Sequence, residues 1–212
     1  MVRSRKELSI FLSKLKVFDK PKPNLEQYPS DGNVAGELLW KTVLNGDIED
    51  KEIVDMGCGT GILGIGALIL GAKSVEFIDI DPSVQKILED NIKFAEEYFD
   101  ESLEGKWTFS GKDVTNQQFV RNDEIVVLMN PPFGTRKKHA DRGFLVAGFK
   151  MAPVIYTMHK TSTEGFVAAF CRDENIQITW QEQTSFPLKN TMQTHKKKIE
   201  RIEVTLYRLE KA

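Results

Sequence analysis

An α/β fold is predicted: a seven-stranded, mostly parallel, doubly wound sheet with an N-terminal helical extension. Three observations predict it. Short apolar strands alternate with helical patterns from Glu52 to Asp173, which implies parallel strands covered by helices on both faces. Two β-rich stretches then close the chain with no helix between them, so they pair antiparallel. Ahead of the first strand lie two helical patterns separated by prolines.

Each element has a local cause. Ser4-Arg5-Lys6-Glu7 reads as a capping box, and Leu8, Phe11, Leu12 and Leu15 follow at helical spacing, giving a first helix to about Phe18. Pro21 and Pro23 force an extended, helix-free stretch through to Pro29. A second helix starts near Ser30 or Asp31 and ends at Asn45-Gly46. Glu52 to Met56 is a strand, followed by glycines and a helix that stops at Gly71. Ser74 to Ile80 is the next strand. Asp81-Pro82 starts a helix whose apolar stripe is Val84, Ile87, Leu88, Ile92 and Ala95. Strands follow at Trp107 to Phe109, Ile125 to Met129 and Val154 to Met158, with helices over Gly143 to Ala152 and Ser162 to Asp173. The closing strands are Ile176 to Ser185 and Ile199 to Leu209. The whole chain reads as one domain, residues 1–46 forming the extension and 47–212 the core.

The 212 residues are 41% hydrophobic and 28% charged, which excludes a disordered or collagen-like chain. A chain of this length buries roughly 70% of its unfolded surface. Cys58 and Cys171 make no disulfide framework, and no CxxC pair suggests a metal. No segment reads as a membrane span or signal peptide, and a reducing cytoplasmic compartment is expected. The net charge of −2 is a cancellation. Residues 1–44 hold 8 basic and 5 acidic groups, 45–127 hold 7 and 18, and 128–212 hold 14 and 8. An acidic middle therefore lies between two basic ends.

Asp55-Met56-Gly57-Cys58-Gly59-Thr60-Gly61 follows the first strand and opens a helix. Such glycines let backbone turn sharply and approach a ligand. Asp79, at the end of the next strand, is placed to accept hydrogen bonds from ribose hydroxyls. Gly59, Gly61 and Gly64 also satisfy GxGxxG, so NAD and S-adenosylmethionine both remain open on this loop alone.

Asn130-Pro131-Pro132-Phe133 narrows the choice. It follows the fourth strand, and in an open α/β sheet ligands bind beyond the carboxyl ends of strands. In a 3-2-1-4-5-7-6 order the fourth strand lies beside the first, which puts Asn130 next to Gly57. An exocyclic amine on a base or amide is a poor nucleophile because its lone pair is delocalised. The Asn130 oxygen and the Pro131 carbonyl can each accept one of its N–H bonds and free that lone pair toward a methyl donor. Pro131 and Pro132 preorganise the acceptors, and Phe133 offers a face for a flipped base, worth ~1–3 kcal/mol of stacking. Hydride transfer has no use for this arrangement, so the cofactor is read as S-adenosylmethionine, with S-adenosylhomocysteine as product.

Five segments carry a family resemblance: Leu25-Glu26-Gln27-Tyr28-Pro29-Ser30, Asp55 to Gly59, Phe77-Ile78-Asp79-Ile80-Asp81, Asn130 to Thr135 and His195 to Lys198. Together they resemble the small methyltransferase-like family that forms N6-methyladenosine in small-subunit ribosomal RNA of archaea and eukaryotes, over about Leu8 to Leu209. The resemblance implies a class I, Rossmann-like methyltransferase acting on an RNA adenine. It implies that Gln27 and Ser30 close over the methionine part of the cofactor, and that Gly57, Thr60 and Ile62 line it. Gly59 and Gly61 of the same loop are counted with them as cofactor-binding, as is Tyr28, which either packs over the site or covers the core. Asp55 would lie near the cofactor's amino group, Asp79 at its ribose, and Asp113 and Val114 at its adenine. Asn130, Pro131, Pro132 and Phe133 would hold the target adenine. A small zinc-binding activator subunit is the implied protein partner. Met192 and Thr194 stand where the family places aromatics, and Ser30 stands where threonine is usual, which keeps the hydroxyl.

Arg136, Lys137, Lys138 and Arg142 follow the NPPF segment, and His195, Lys196, Lys197 and Lys198 lie in the last hairpin loop. Both sets are expected to rim the mouth of the site and meet RNA phosphates. His159-Lys160 ends a strand on the same side as a candidate substrate contact. Cys58 reads as small and buried rather than nucleophilic. Rival readings are methylation of a protein glutamine amide or of guanine N2, and a non-catalytic RNA-binding subunit.

Overall fold

One seven-stranded sheet runs in the order β3-β2-β1-β4-β5-β7-β6, the order expected from the sequence. A computed structural model describes residues 2–133, 140–188 and 200–211. The strands are β1 (Glu52–Met56), β2 (Ser74–Asp79), β3 (Trp107–Gly111), β4 (Ile125–Met129), β5 (Val154–Lys160), β6 (Gln177–Leu188) and β7 (Glu200–Glu210). The first five pair in parallel, and β7 lies antiparallel between β5 and β6. The helices are α1 (Arg5–Leu12), α2 (Gly32–Leu44), α3 (Ile62–Ile69), α4 (Gln85–Phe99), α5 (Ala140–Met151) and α6 (Glu164–Asp173).

Alternation along each strand divides the core in two. Ile53, Val126, Leu128, Tyr156 and Leu206 pack with α1 to α4 on one face. Val54, Val127, Met129, Ile155 and Leu209 pack with α5 and α6 on the other. Because β1 and β4 are adjacent and in register, Met56 opposite Met129, the residues just beyond both strands emerge side by side. That adjacency brings Gly57 and Asn130 to one place.

The N-terminal extension departs from its expected form in two respects. The helix α1 stops at Leu12 instead of Phe18. Beyond it, the Lys16 backbone is taken by Asn91 of α4, whose Oδ1 accepts the Lys16 N–H (2.7 Å) and whose Nδ2 donates to the Lys16 carbonyl (3.0 Å). A helix could not offer both groups sideways. The stretch Pro21–Pro29, expected to be helix-free, contains a single 3-10 turn over Pro23–Leu25, followed by Glu26 in the left-handed region. Gln27 stabilises the turn, its Oε1 accepting the Lys22 N–H at 2.8 Å. Two basic side chains of this extension are committed to the acidic middle of the chain: Lys16 pairs with Asp90 and Lys22 with Asp81. Smaller differences concern element ends: β3 and β5 run two residues further than expected and β6 three, whereas β2 stops one residue sooner and α6 begins two residues later.

Asn91 is fully buried and also donates to the Thr60 carbonyl (2.9 Å), so one amide joins the extension, α4 and the glycine loop. Replacing it with leucine leaves several buried backbone groups without partners. Asn91→Leu is expected to lower stability by about 2–4 kcal/mol in urea denaturation. A loss below about 1 kcal/mol would show that water replaces the amide.

Candidate active site

At the carboxyl ends of β1, β2 and β4 lies a cavity of about 350 Å³. Its floor is the turn after β1. Gly57, Gly59 and Gly61 all have positive φ, and the Gly57 and Cys58 N–H groups donate to the Ile78 carbonyl. A Cβ at Gly57 would lie 2.8 Å from Phe144 of α5, and one at Gly59 would lie 2.8 Å from Phe18. Glycine is required there for both conformation and space.

Two carboxyl groups sit in this floor. Asp79 accepts the Gly59 N–H (2.9 Å) through one oxygen and the Asp81 N–H (2.8 Å) through the other. Burial nonetheless raises its pKa above the ordinary aspartate value. Asp55 is fully buried, and its Oδ2 accepts the Gly64 N–H at 2.8 Å, tying the first turn of α3 to β1. Burial, with a contribution from the Asp79 charge, pushes its pKa up to about 7. Two buried carboxyls that resist ionisation suit a ligand that brings positive charge.

The wall opposite is the segment 22–31. Asp81 anchors it: Lys22 Nζ (2.7 Å) and Gln27 Nε2 (2.8 Å) donate to its carboxylate. Although burial opposes ionisation, the hydrogen bonds from Lys22, Ser83 and Gln27 hold the Asp81 carboxyl well below the usual range. Gln27 lines the cavity, but both ends of its amide are engaged, one with Asp81 and one with the Lys22 backbone. It latches the wall. Tyr28 and Ser30 line the cavity beside it, Tyr28 partly exposed at the rim.

Asn130 follows β4. Its Nδ2 donates to Ser30 Oγ (2.9 Å), and its Oδ1 is buried with no hydrogen-bond partner among the described residues. Buried acceptors are rarely left unpaired, because the desolvation cost is not recovered. Pro131 is buried and does not line the cavity; Pro132 does. Phe133 lies beyond the cavity lining, packed partly against the core, with Lys160 Nζ 5.7 Å from its ring centre.

The residues expected around a cofactor all line this cavity except Gly61, whose αL turn starts α3 and whose missing Cβ faces Leu88 and Ile65. Asp113 lines it but spends its carboxylate on Thr115 and Asn116, and buried Val114 supplies apolar wall. Phe144 and Phe18 were not anticipated. Each lies far in sequence from the glycine it covers, Phe18 from Gly59 and Phe144 from Gly57, and is recognisable only as the bulk that fills that glycine's empty side. His159 is also placed differently from expectation. It is buried, with Nε2 3.0 Å from Thr157 Oγ1 and Nδ1 3.8 Å from Asp141, so it anchors the start of α5 and is not a surface contact. The exposed side chain of Arg142 lies 6.0 Å over Phe170 of α6. Cys58 is buried, and burial raises its pKa, as expected of an unreactive thiol. Arg136, Lys137, Lys138 and His195 to Lys198 lie outside the described residues. The described residues hold no cluster of metal-ligating side chains, and no helix among them is long and apolar enough to cross a membrane.

Residues 38–127 match the family described as Ribosomal protein L11 methyltransferase (PrmA). The chain is 32% identical to rRNA N6-adenosine-methyltransferase METTL5 of Danio rerio, over 96% of this chain and 97% of that one. It is 36% identical to an uncharacterised protein of Methanocaldococcus jannaschii, over 98% and 94%. A crystal structure from Pyrococcus horikoshii, provisionally named an RNA methyltransferase, superposes with a TM-score of 0.85 at 39% identity, covering 98% of both chains.

Proposed function

The chain belongs to the rRNA N6-adenosine-methyltransferase METTL5 family, and we propose that Asn130 marks where the amino group of an rRNA adenine receives its methyl group. The protein is an S-adenosylmethionine-dependent RNA methyltransferase of class I fold. The observation that carries the acceptor assignment is the buried, partnerless Asn130 Oδ1 at the wall of the cavity.

The cavity suits the cofactor. Gly57 and Gly59, in positive-φ conformations, bring the turn after β1 to the cavity floor, and the two buried carboxyls there favour a ligand that carries positive charge. Asp79 would hold the ribose, Asp55 the ammonium end, and Val114 with Phe144 the adenine. S-adenosylmethionine, when bound, supplies a methyl group already activated by a sulfonium. What remains for the protein is to orient the acceptor and exclude water. Asn130 Oδ1 accepts one N–H of the adenine amine, and the Pro131 carbonyl accepts the other. This draws the nitrogen toward tetrahedral geometry and turns its lone pair toward the donor. Phe133 supports the base, which must be unpaired or flipped to reach the site.

Charge supports an RNA partner at this end of the sheet. Lys160 stands beside Phe133, and the β6–β7 stem continues past the last β5 pairing, Lys160 with Val204, to Leu188 and Glu200. It leads to residues 189–199, which include His195 to Lys198 and lie outside the described residues. With Arg136, Lys137 and Lys138, His195 to Lys198 form the proposed phosphate-binding rim. Small-subunit ribosomal RNA as substrate, a small zinc-binding activator as partner and a cytoplasmic site of action belong to the same proposal. They rest on the family resemblance and on the two unpaired cysteines.

The L11 methyltransferase match raises a second reading, methylation of a ribosomal protein. That match ends at residue 127, so it covers most of the cofactor half and stops short of Asn130. Incubating the protein with methyl-labelled cofactor and undermethylated small ribosomal subunits separates the two. Label is expected in the RNA fraction. Label confined to protein would replace the RNA reading.

A further inference from the structure

We propose that Ser30 is a positioning residue for methyl transfer: its hydroxyl holds the Asn130 carboxamide, making the acceptor site depend on the wall that covers the cofactor. The proposal rests on the assignment of Asn130 as the group that receives the target amine. A primary carboxamide has one accepting end and one donating end. Only the accepting end helps an amine, because an N–H₂ group turned toward another N–H₂ group repels it. Asn130 Nδ2 donates to Ser30 Oγ at 2.9 Å, and Oδ1 is left buried beside the cavity, unpaired among the described residues. With one end tied to Ser30, the amide plane is fixed before substrate arrives. Without the hydroxyl, both ends would be unpaired, and the side chain could rotate to satisfy either one.

Ser30 does not belong to the β4 end that carries Asn130. It lies one hundred positions earlier, in the wall segment. That wall is held at one end by Asp31, which caps α2 by accepting the Asn33 N–H (2.9 Å). At the other end it is held by Lys22 and Gln27 on Asp81, two residues past Asp79. The carboxyl assigned to the ribose and the amide assigned to the acceptor base are therefore connected through one segment. Seating of the wall sets both.

The test compares Ser30→Ala, Ser30→Val and Ser30→Thr in the full chain. Threonine and valine are nearly isosteric, so that pair isolates the hydroxyl even if alanine disturbs folding. Rates are read as N6-methyladenosine formed at saturating cofactor and RNA, with cofactor affinity measured separately by calorimetry. Alanine and valine are expected to lower kcat by about tenfold or more. Threonine is expected to restore it to within about threefold, and cofactor Kd to move by less than about threefold in all three. Unchanged kcat in the valine variant would overturn the proposal, as would equal losses in valine and threonine or a defect confined to cofactor Kd. Wild-type protein that makes no N6-methyladenosine would instead refute the underlying function.

Discussion

Asn130→Ala is expected to lower kcat for methylation of RNA by about 10²–10³ while changing cofactor affinity by no more than a few-fold. Removing one preorganised hydrogen-bonding group at a reacting centre costs on the order of 3–4 kcal/mol in comparable enzymes. Here the group is an acceptor, and it already sits desolvated and without a partner among the described residues. No reorganisation is needed when the amine arrives, which is where such groups gain their advantage. The fold should tolerate the change, since the alanine removes an unsatisfied polar atom and gives up only the bond to Ser30. Steady-state kinetics on ribosomal subunits, paired with calorimetry for the cofactor, checks both halves. Activity within tenfold of wild type would place the acceptor group elsewhere.

Asp55→Asn should separate stability from function. In the unfolded chain this carboxyl ionises near the ordinary aspartate value of 3.8, and burial in the fold pushes it up to about 7. Between those values the folded state holds a proton that the unfolded state has released. Stability therefore falls as pH rises from about 4 to about 7 and stays low above that. Asparagine keeps the acceptor for the Gly64 N–H and carries no charge. At pH 8 the cofactor-free variant is expected to be more stable by roughly 2–4 kcal/mol, with the advantage shrinking toward pH 5. Cofactor affinity should move the opposite way, falling at least about tenfold at pH 8, because the ammonium loses its counter-charge. Wild-type affinity should itself rise from pH 6 to pH 8, and that rise should be absent from the variant. A variant no more stable than wild type at pH 8 would mean that Asp55 is not held near neutrality by burial.

The sheet was legible because each of its determinants is local. Strand β4 is five apolar residues bounded by polar ones, and the final two strands lack a helix between them. The same holds for the contiguous parts of the site, the turn from Gly57 to Gly61 and the segment from Asn130 to Phe133. What could not be read was long-range pairing. Nothing near Lys16 announces that Asn91 will take its backbone and end α1 early. Gln27 lines the cavity, but nothing near it announces that Asp81, more than fifty positions away, takes its amide. His159 stands at a strand end on the reactive side, yet Asp141 and Thr157 draw it inward. The charge blocks were visible, but some of the N-terminal basic residues proved to be partners for acidic ones.

The central claim is that Asn130 and its neighbours present an acceptor to the amino group of adenine. Nucleoside-resolved mass spectrometry of RNA from undermethylated small ribosomal subunits, after reaction with wild-type protein and with Asn130→Ala, tests it most directly. The account predicts N6-methyladenosine as the new nucleoside with wild type and its near-absence with the variant. N2-methylguanosine, or N6-methyladenosine formed equally by both proteins, would contradict it.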